Sequence, residues 1–311
     1  MQVVICEFMD EAAVARLAAL HETLYDATLV DRRDELKARL AWTRALIVRN
    51  RTKVDVHLLA AAPRLQVVGR LGVGLDNIDT SACAARGIDV IPAMGANALA
   101  VAEYVIATAM ALLRGAYFSS AAVAAGAWPR AALSNGREIA GTTLGIVGFG
   151  GIGRLVAARA QGLAMRVIGC DAQIPRGSPV WEASRVEPCT FDQVLAAADV
   201  VTAHVPLTAA TQGMFDAARI AAMKAGALLI NTSRGGIVDE AALAAALRSG
   251  ALGGAALDVY AQEPLPAGSP LAGCPNLILT PHIAGVTRES NVRVSTLIGE
   301  KVAAALAAAA A

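Results

Sequence analysis

The sequence has almost no net charge, no paired cysteine spacing and no long uninterrupted apolar run, and each shortage removes a class of function. Lysine and arginine total 27 against 26 aspartate and glutamate, a formal charge of +1, and no basic run is interleaved with aromatics. Nucleic acid, whose binding draws on clustered cations, is not an expected partner. The five cysteines, Cys6, Cys83, Cys170, Cys189 and Cys274, are odd in number and lack C-x-x-C spacing, which argues against a disulfide framework or a zinc site. Cys6 and Cys170 read as small buried side chains in strands, and no metal is expected. The longest apolar stretches are alanine-rich, interrupted by Glu103, Arg114 or glycines, and too short to span a bilayer. The opening MQVVICEFMDE has no basic segment before its apolar residues and acids follow at once, so it reads as a first strand rather than a secretory signal. A cytoplasmic protein without a membrane partner is the expectation.

What the sequence does hold is apolar material for two cores: 56% of its 311 residues are hydrophobic, enough for about two domains. Short apolar strands alternate with helical segments in two series. The first comprises VVICEF, a helix over 10–20, TLYDA, a helix over 32–40, ALIVR, VDVHLLAAA, LQVVGRLG, a helix over 80–86 and IDVIP. The second comprises TTLGIVGFG, MRVIGCD, DVVTAHVP, ALLINTSR, GGAALDVY and NLILTPH. This repeat predicts α/β architecture with parallel sheets covered by helices. Between the series, NALAVAEYVIATAMALLRGAYFSSAAVAAG is apolar all round, as a helix buried between domains or subunits would be. Residues 288–311 read as a helix that returns to the first domain, with a terminal alanine run expected to fray. His21 and His57 fall in predicted surface helices, and His204 follows a strand.

The stretch VGFGGIGR places Gly148, Gly150, Gly151, Ile152 and Gly153 between an apolar strand and a helix, and Asp171 closes the next strand. The first glycine of G-x-G-x-x-G permits a tight turn, the second lets amides approach a pyrophosphate, and the third lets helix and strand pack closely. The helix N-terminus adds the positive end of a dipole. The Asp171 carboxylate suits the adenosine ribose hydroxyls and repels a 2′-phosphate, so NAD is expected rather than NADP.

Three chemistry-bearing residues stand just beyond apolar strands of the second series: Arg234 after LLINTS, Glu263 in YAQEP and His282 after LILTP. Oxidising a 2-hydroxy acid requires a base for the hydroxyl proton, and histidine titrates near neutrality. A carboxylate against its other ring nitrogen fixes the tautomer and stabilises the imidazolium. The arginine fork suits a substrate carboxylate and polarises the carbonyl in the reverse direction. Taken singly, each residue has a structural alternative, an ion pair for Arg234 or a solvated turn for Glu263; jointly they specify a proton relay beside an anion clamp.

The motifs NTSRGGIVDE, ALDVYAQEP and TPHIAG, with VGFGGIGR, resemble the D-isomer-specific 2-hydroxyacid dehydrogenase family, and GRLGVGLDNID resembles its phosphoglycerate dehydrogenase-like branch. The likeness runs over essentially the whole chain. It implies that Arg234, Glu263 and His282 are catalytic, and that a Rossmann NAD domain (98–286) is inserted into a flavodoxin-like substrate domain (1–97 and 287–311), both doubly wound parallel sheets. An active site in the cleft and a homodimer formed through the cofactor domain are also implied. The resemblance further implies cofactor contacts from Ile152, Pro206, Thr211, Thr232 and Asp258, the last at the nicotinamide amide. It places the substrate carboxylate on the amides of Val73 and Gly74, with Asn97 lining the cleft. Physically, Gly72 and Gly74 permit amides to converge on an anion. The chain ends without the regulatory segment of longer phosphoglycerate dehydrogenases, and control by serine is not expected.

For the substrate, Arg49 closes ALIVR and Arg70 closes LQVVGR. Two arginines beyond Arg234 suit a second anionic group, phosphate or sulfonate, and ion pairing with neighbours such as Asp76 is the structural alternative. ICEFMDEAAV, ALIVRNRTKVD, VAEYV and HIAGVTRESN are similar to the (S)-sulfolactate dehydrogenase branch. Sulfur raises the priority of its arm above the carboxylate, so this S label describes the handedness of a D-lactate. Phosphoglycerate dehydrogenase is the near alternative, followed by hydroxypyruvate or glyoxylate reductase. An NAD-sensing corepressor keeps similar motifs, but the chain shows no extended polar tail. A formate dehydrogenase, whose chemistry needs no proton-accepting His–Glu pair, is not expected.

Overall fold

Strands in the computed structural model are short and mostly buried from end to end because both faces of each sheet are covered. The structure describes residues 2–308; Met1 and the terminal alanines 309–311, on which the fraying expectation falls, lie outside the described residues. The chain divides into two units, Met1–Asn97 with Val286–Ala311, and Ala98–Gly285.

The first unit holds β1 (Val3–Ile5), β2 (Thr23–Tyr25), β3 (Ala45–Val48), β4 (Val67–Arg70) and β5 (Asp89–Pro92), all parallel in the order β2-β1-β3-β4-β5. That order is flavodoxin-like, with its switch point between β1 and β3. Alternation along the strands sends Val4, Leu46 and Val68 into one core and Val3, Ile5, Ala45, Ile47 and Val67 into the other. The helix Arg288–Ala308 covers the second face through Val294, Ile298, Val302 and Leu306. It packs so closely that a Cβ on Gly69 of β4 would lie 2.8 Å from Ile298 and from Val302.

The second unit holds β6 (Thr143–Val147), β7 (Arg166–Cys170), β8 (Glu187–Pro188), β9 (Val200–Ala203), β10 (Leu228–Asn231), β11 (Gly254–Leu257) and β12 (Leu277–Leu279). All are parallel, in the order β12-β11-β10-β9-β6-β7-β8, and the order reverses between β6 and β9. Val147, Val201, Leu229 and Ala255 face one core; Leu144, Ile146, Val200, Ile230 and Ala256 face the other.

Three local expectations are corrected. The apolar stretch after Asn97 is not one helix: Ala98–Arg114 ends at Gly115 (φ +65°), and Ala116–Ala124 continues at a bend of 69°. The first segment is also not apolar all round in its setting, since Glu103, Ala107, Met110 and Arg114 form an exposed stripe while Ala102, Val105, Ala109 and Leu112 are buried. His21 is not helical; it follows Glu11–Ala18 in the turn before β2, its Nδ1 3.0 Å from Gln2 Oε1. His57 does lie in a helix, Val56–Ala60. The edge strand β8 had no signal, being two residues long and containing a proline, which only an edge tolerates. Among the described residues no single helix is long and apolar enough to cross a membrane.

Candidate active site and dinucleotide turn

The chain leaves β6 at the second unit's switch point, where open α/β sheets place ligands. Gly148 has φ +95°, and a Cβ there would stand 2.5 Å from the His204 carbonyl oxygen. A Cβ on Gly153 would meet the Gly148 carbonyl at 2.4 Å, so its absence lets the helix Gly151–Gly162 pack against the turn. Nothing stands within 4 Å of where side chains on Gly150 and Gly151 would begin, which leaves the helix N-terminus open to an anion. Ile152 packs partly buried against the sheet. Asp171 supports this turn from β7: its Oδ2 accepts from the Phe149 amide at 2.7 Å and its Oδ1 from the Gln173 amide at 2.8 Å. The carboxylate keeps further lone pairs for outside donors.

Beyond β9, Thr211 donates its hydroxyl to the Pro206 carbonyl at 2.5 Å, closing the loop that carries both. His204 stands beside the Gly148 turn with Nε2 3.0 Å from the Thr202 hydroxyl, and burial pushes its imidazole down to about 4. It is therefore neutral near pH 7 and unsuited to proton transfer there. Beyond β10, the Thr232 hydroxyl oxygen is buried without a hydrogen-bond partner among the described residues. An open glycine turn with a buried, unsatisfied hydroxyl fits a dinucleotide.

Arg234 sits on a turn built by Asn231, whose Nδ2 donates to the Arg234 carbonyl at 2.9 Å and whose Oδ1 accepts from the Ser233 amide at 3.0 Å. The guanidinium donates from Nη1 to the Ser233 carbonyl at 2.6 Å. Glu263 and His282, 19 residues apart, are brought together: Oε2 lies 2.8 Å from Nδ1, while Oε1 accepts from the Tyr260 amide at 3.1 Å. With the His282 and Glu263 side chains 42% and 37% exposed, this pair adds little to stability; it orients the imidazole through Nδ1.

His282 has φ +55°, unusual for a residue with a Cβ. The turn is held by Asp258, which is 1% exposed. Its Oδ1 accepts from the Thr280 hydroxyl at 2.6 Å and the Ile283 amide at 2.8 Å, its Oδ2 accepts from the Ala284 amide at 2.8 Å, and its carbonyl accepts from the His282 amide at 2.9 Å. Asp258, expected from the sequence as a cofactor contact, builds the histidine turn in this structure. Thr280 and the residue behind it, Tyr104, were not singled out in the sequence; no motif spacing links positions 176 apart.

In the first unit, the switch point between β1 and β3 is filled by Glu7, 4% exposed. Its Oε1 accepts from the amides of Arg49 (2.8 Å) and Thr52 (2.9 Å), and its Oε2 from those of Asn50 (3.3 Å) and Arg51 (3.1 Å). Arg49 is thereby fixed at the backbone, and its Nη2 donates to Asn291 Oδ1 at 2.9 Å with the guanidinium 5.7 Å from the centre of the Phe8 ring. Burial lowers its pKa, against the nearby charge of Glu7. Glu7 and Asn291 are further residues the sequence did not single out. Arg70, at the end of β4, donates from Nη1 to the Leu71 carbonyl at 3.0 Å, and a Cβ on Gly72 would collide with that guanidinium at 1.5 Å. Val73 and Gly74 follow in the same partly buried loop, and Asn97 Oδ1 is buried without a hydrogen-bond partner among the described residues. Among the described residues no group of three or more His, Cys, Asp or Glu could hold a metal ion.

Residues 106–284 match the model of the D-isomer specific 2-hydroxyacid dehydrogenase NAD binding domain. The chain belongs to the D-isomer specific 2-hydroxyacid dehydrogenase family. It is an NAD-dependent enzyme of α/β fold acting on a small hydroxy or oxo acid. It is 54% identical to the (S)-sulfolactate dehydrogenase of Chromohalobacter salexigens over 98% of both chains. It is 40% identical to the D-3-phosphoglycerate dehydrogenase of Archaeoglobus fulgidus over 87% of this chain and 51% of that one, so it spans about half the length of that relative. The crystal structure of D-lactate dehydrogenase from Aquifex aeolicus, complexed with NAD and lactic acid, superposes with a TM-score of 0.82 at 27% identity, covering 99% of this chain and 96% of that one.

Proposed function

We propose that this dehydrogenase oxidises (S)-3-sulfolactate to 3-sulfopyruvate, with His282 as the base, Glu263 as its partner and Arg234 as the clamp for the 2-hydroxy acid carboxylate. The observation that carries the proton relay is the 2.8 Å contact between Glu263 Oε2 and His282 Nδ1. It commits one ring nitrogen to a carboxylate and directs Nε2 at the substrate hydroxyl. As that proton arrives, Glu263 stabilises the imidazolium. Arg234 binds the carboxylate through its planar fork and, in the reverse direction, polarises the carbonyl for hydride addition. NAD, when bound, supplies the acceptor for the hydride from that carbon. The residues that would hold it are Gly148, Gly150, Gly151, Ile152, Gly153 and Asp171, with Pro206, Thr211, Thr232 and Asp258 along the strand ends. Val73, Gly74 and Asn97 would bind substrate.

The choice of sulfolactate rests on the 54% identical relative and on Arg49 and Arg70, which would hold the second anion. D-3-Phosphoglycerate fits the same charge and is the second reading. A homodimer is proposed through the second unit, where Tyr117, Phe118, Val123 and Trp128 are exposed on neighbouring stretches of chain. Five free thiols suit a reducing compartment, and the cytoplasm is proposed as the location.

The test is NADH formation with a panel of both sulfolactate enantiomers, 3-phosphoglycerate, D-lactate, glycerate and malate. (S)-Sulfolactate should give the highest kcat/KM; a higher value for 3-phosphoglycerate would overturn the substrate. His282→Ala should lose about 10² to 10⁴ in kcat with NAD affinity retained.

A further inference from the structure

Tyr104 lies on the helix Ala98–Arg114, and its hydroxyl is 2.7 Å from the Thr280 hydroxyl oxygen. The direction of that bond follows from proton counting. A threonine hydroxyl has one hydrogen, and Thr280 spends it on Asp258 Oδ1 at 2.6 Å; an ionised carboxylate has none to return. Tyr104 must therefore donate to Thr280, and the chain runs from phenol to hydroxyl to carboxylate in one sense. Burial raises the Tyr104 pKa and the Asp258 charge adds to it, against the Thr280 hydrogen bond, so the phenol stays protonated and remains a donor throughout the neutral range. At its far end the carboxylate accepts from the amides of Ile283 and Ala284, the two residues after His282. Donors aligned this way polarise one another, and charge-assisted bonds are the stronger kind.

The turn they hold needs such support. A residue with a Cβ at φ +55° is kept in that conformation only where its surroundings over-determine it. Tyr260 braces the same turn by sharing its hydroxyl hydrogen between the carbonyls of Thr280 at 2.9 Å and Leu257 at 3.0 Å, so Thr280 is held at side chain and backbone together. Of the two, the side-chain bond is the one that leads to the helix Ala98–Arg114.

We propose that Tyr104 is a positioning residue for His282: its hydroxyl, acting through Thr280 and the Asp258 carboxylate, fixes the turn that carries the imidazole. This rests on the reading of His282 as the base.

The test uses Tyr104→Phe, which removes one oxygen and keeps the ring, with Thr280→Val, Thr280→Ser and the double variant Tyr104→Phe/Thr280→Val. Two readouts are taken: kcat and KM for the best hydroxy acid, and the ring nitrogen signals of His282 in cofactor-free, histidine-labelled protein. Only four histidines are present, so the signals can be assigned by single substitutions. Tyr104→Phe should lower kcat about threefold to tenfold, the loss of one hydrogen bond, with KM within about twofold, and should shift or broaden the His282 Nδ1 signal while leaving His21 and His57 unchanged. Thr280→Ser should resemble wild type. In the Thr280→Val background, Tyr104→Phe should have no further effect, because the phenol has no target left. Equal losses from Tyr104→Phe with and without the Thr280 hydroxyl, or an unchanged His282 signal, would overturn the proposal. The failure of the underlying reading looks different: His282→Ala would keep wild-type kcat while the Tyr104→Phe signal still moved.

Discussion

The two sheets each present a cluster of backbone amides at the switch point, and they use them in opposite ways. At the end of β6 the Phe149 amide is taken by Asp171, but the turn stays open beyond it: Gly150 and Gly151 carry nothing, and no atom stands within 4 Å of where their side chains would begin. At the end of β3 the amides of residues 49–52 are consumed from within by the Glu7 carboxylate. An outside anion at the first corner meets amides and a helix N-terminus. At the second corner the backbone positive charge is already neutralised, and the attraction for an anion must come from the Arg49 side chain that the corner holds in place. One corner suits a cofactor phosphate; at the other, the cation on offer is the Arg49 side chain.

The comparison breaks hardest at Gly148. Gly148→Ala puts a Cβ 2.5 Å from the His204 carbonyl at a φ of +95°, a strain of about 3 kcal/mol. The melting temperature should fall by several degrees and NAD affinity by at least about tenfold in isothermal titration; wild-type NAD affinity would show that the open amides are not the phosphate site.

A smaller effect is expected at the closed corner. Glu7→Gln leaves one carbonyl oxygen for four amides, so two N–H groups lose their acceptor at a cost of about 1–2 kcal/mol, since Asn50 and Arg51 are exposed. Denaturant unfolding should register this loss, and KM for a dianionic substrate should rise as Arg49 is released. Unchanged stability would mean that the four amides find other partners and that Glu7 does not organise Arg49.

These two corners also differ in how far they could be read from the sequence. The glycine turn is contiguous, and each glycine answers a local demand, so VGFGGIGR and Asp171 announce the site. His282 and Glu263 were legible as groups beyond apolar strands because parallel sheets collect their functional residues at the carboxyl ends. Glu7 and Asn291 were not, since they reach Arg49 from positions 42 and 242 residues away, and a single acidic residue after a strand carries no pattern. Tyr104 was hidden for the same reason. The 69° bend after Arg114 was missed because alanine-rich composition continues through it; only Gly115 marks the break.

The central claim is that the closed corner supplies a side-chain clamp for a second anion while Arg234 serves the carboxylate common to every substrate. The most direct test is the KM ratio of (S)-sulfolactate to D-lactate in Arg49→Ala and, separately, Arg70→Ala. Losing a charged contact to the sulfonate should raise KM for sulfolactate about tenfold to a hundredfold, with D-lactate within about twofold, since it has no group to lose. Equal increases for both acids would contradict the account and return Arg49 and Arg70 to a structural role.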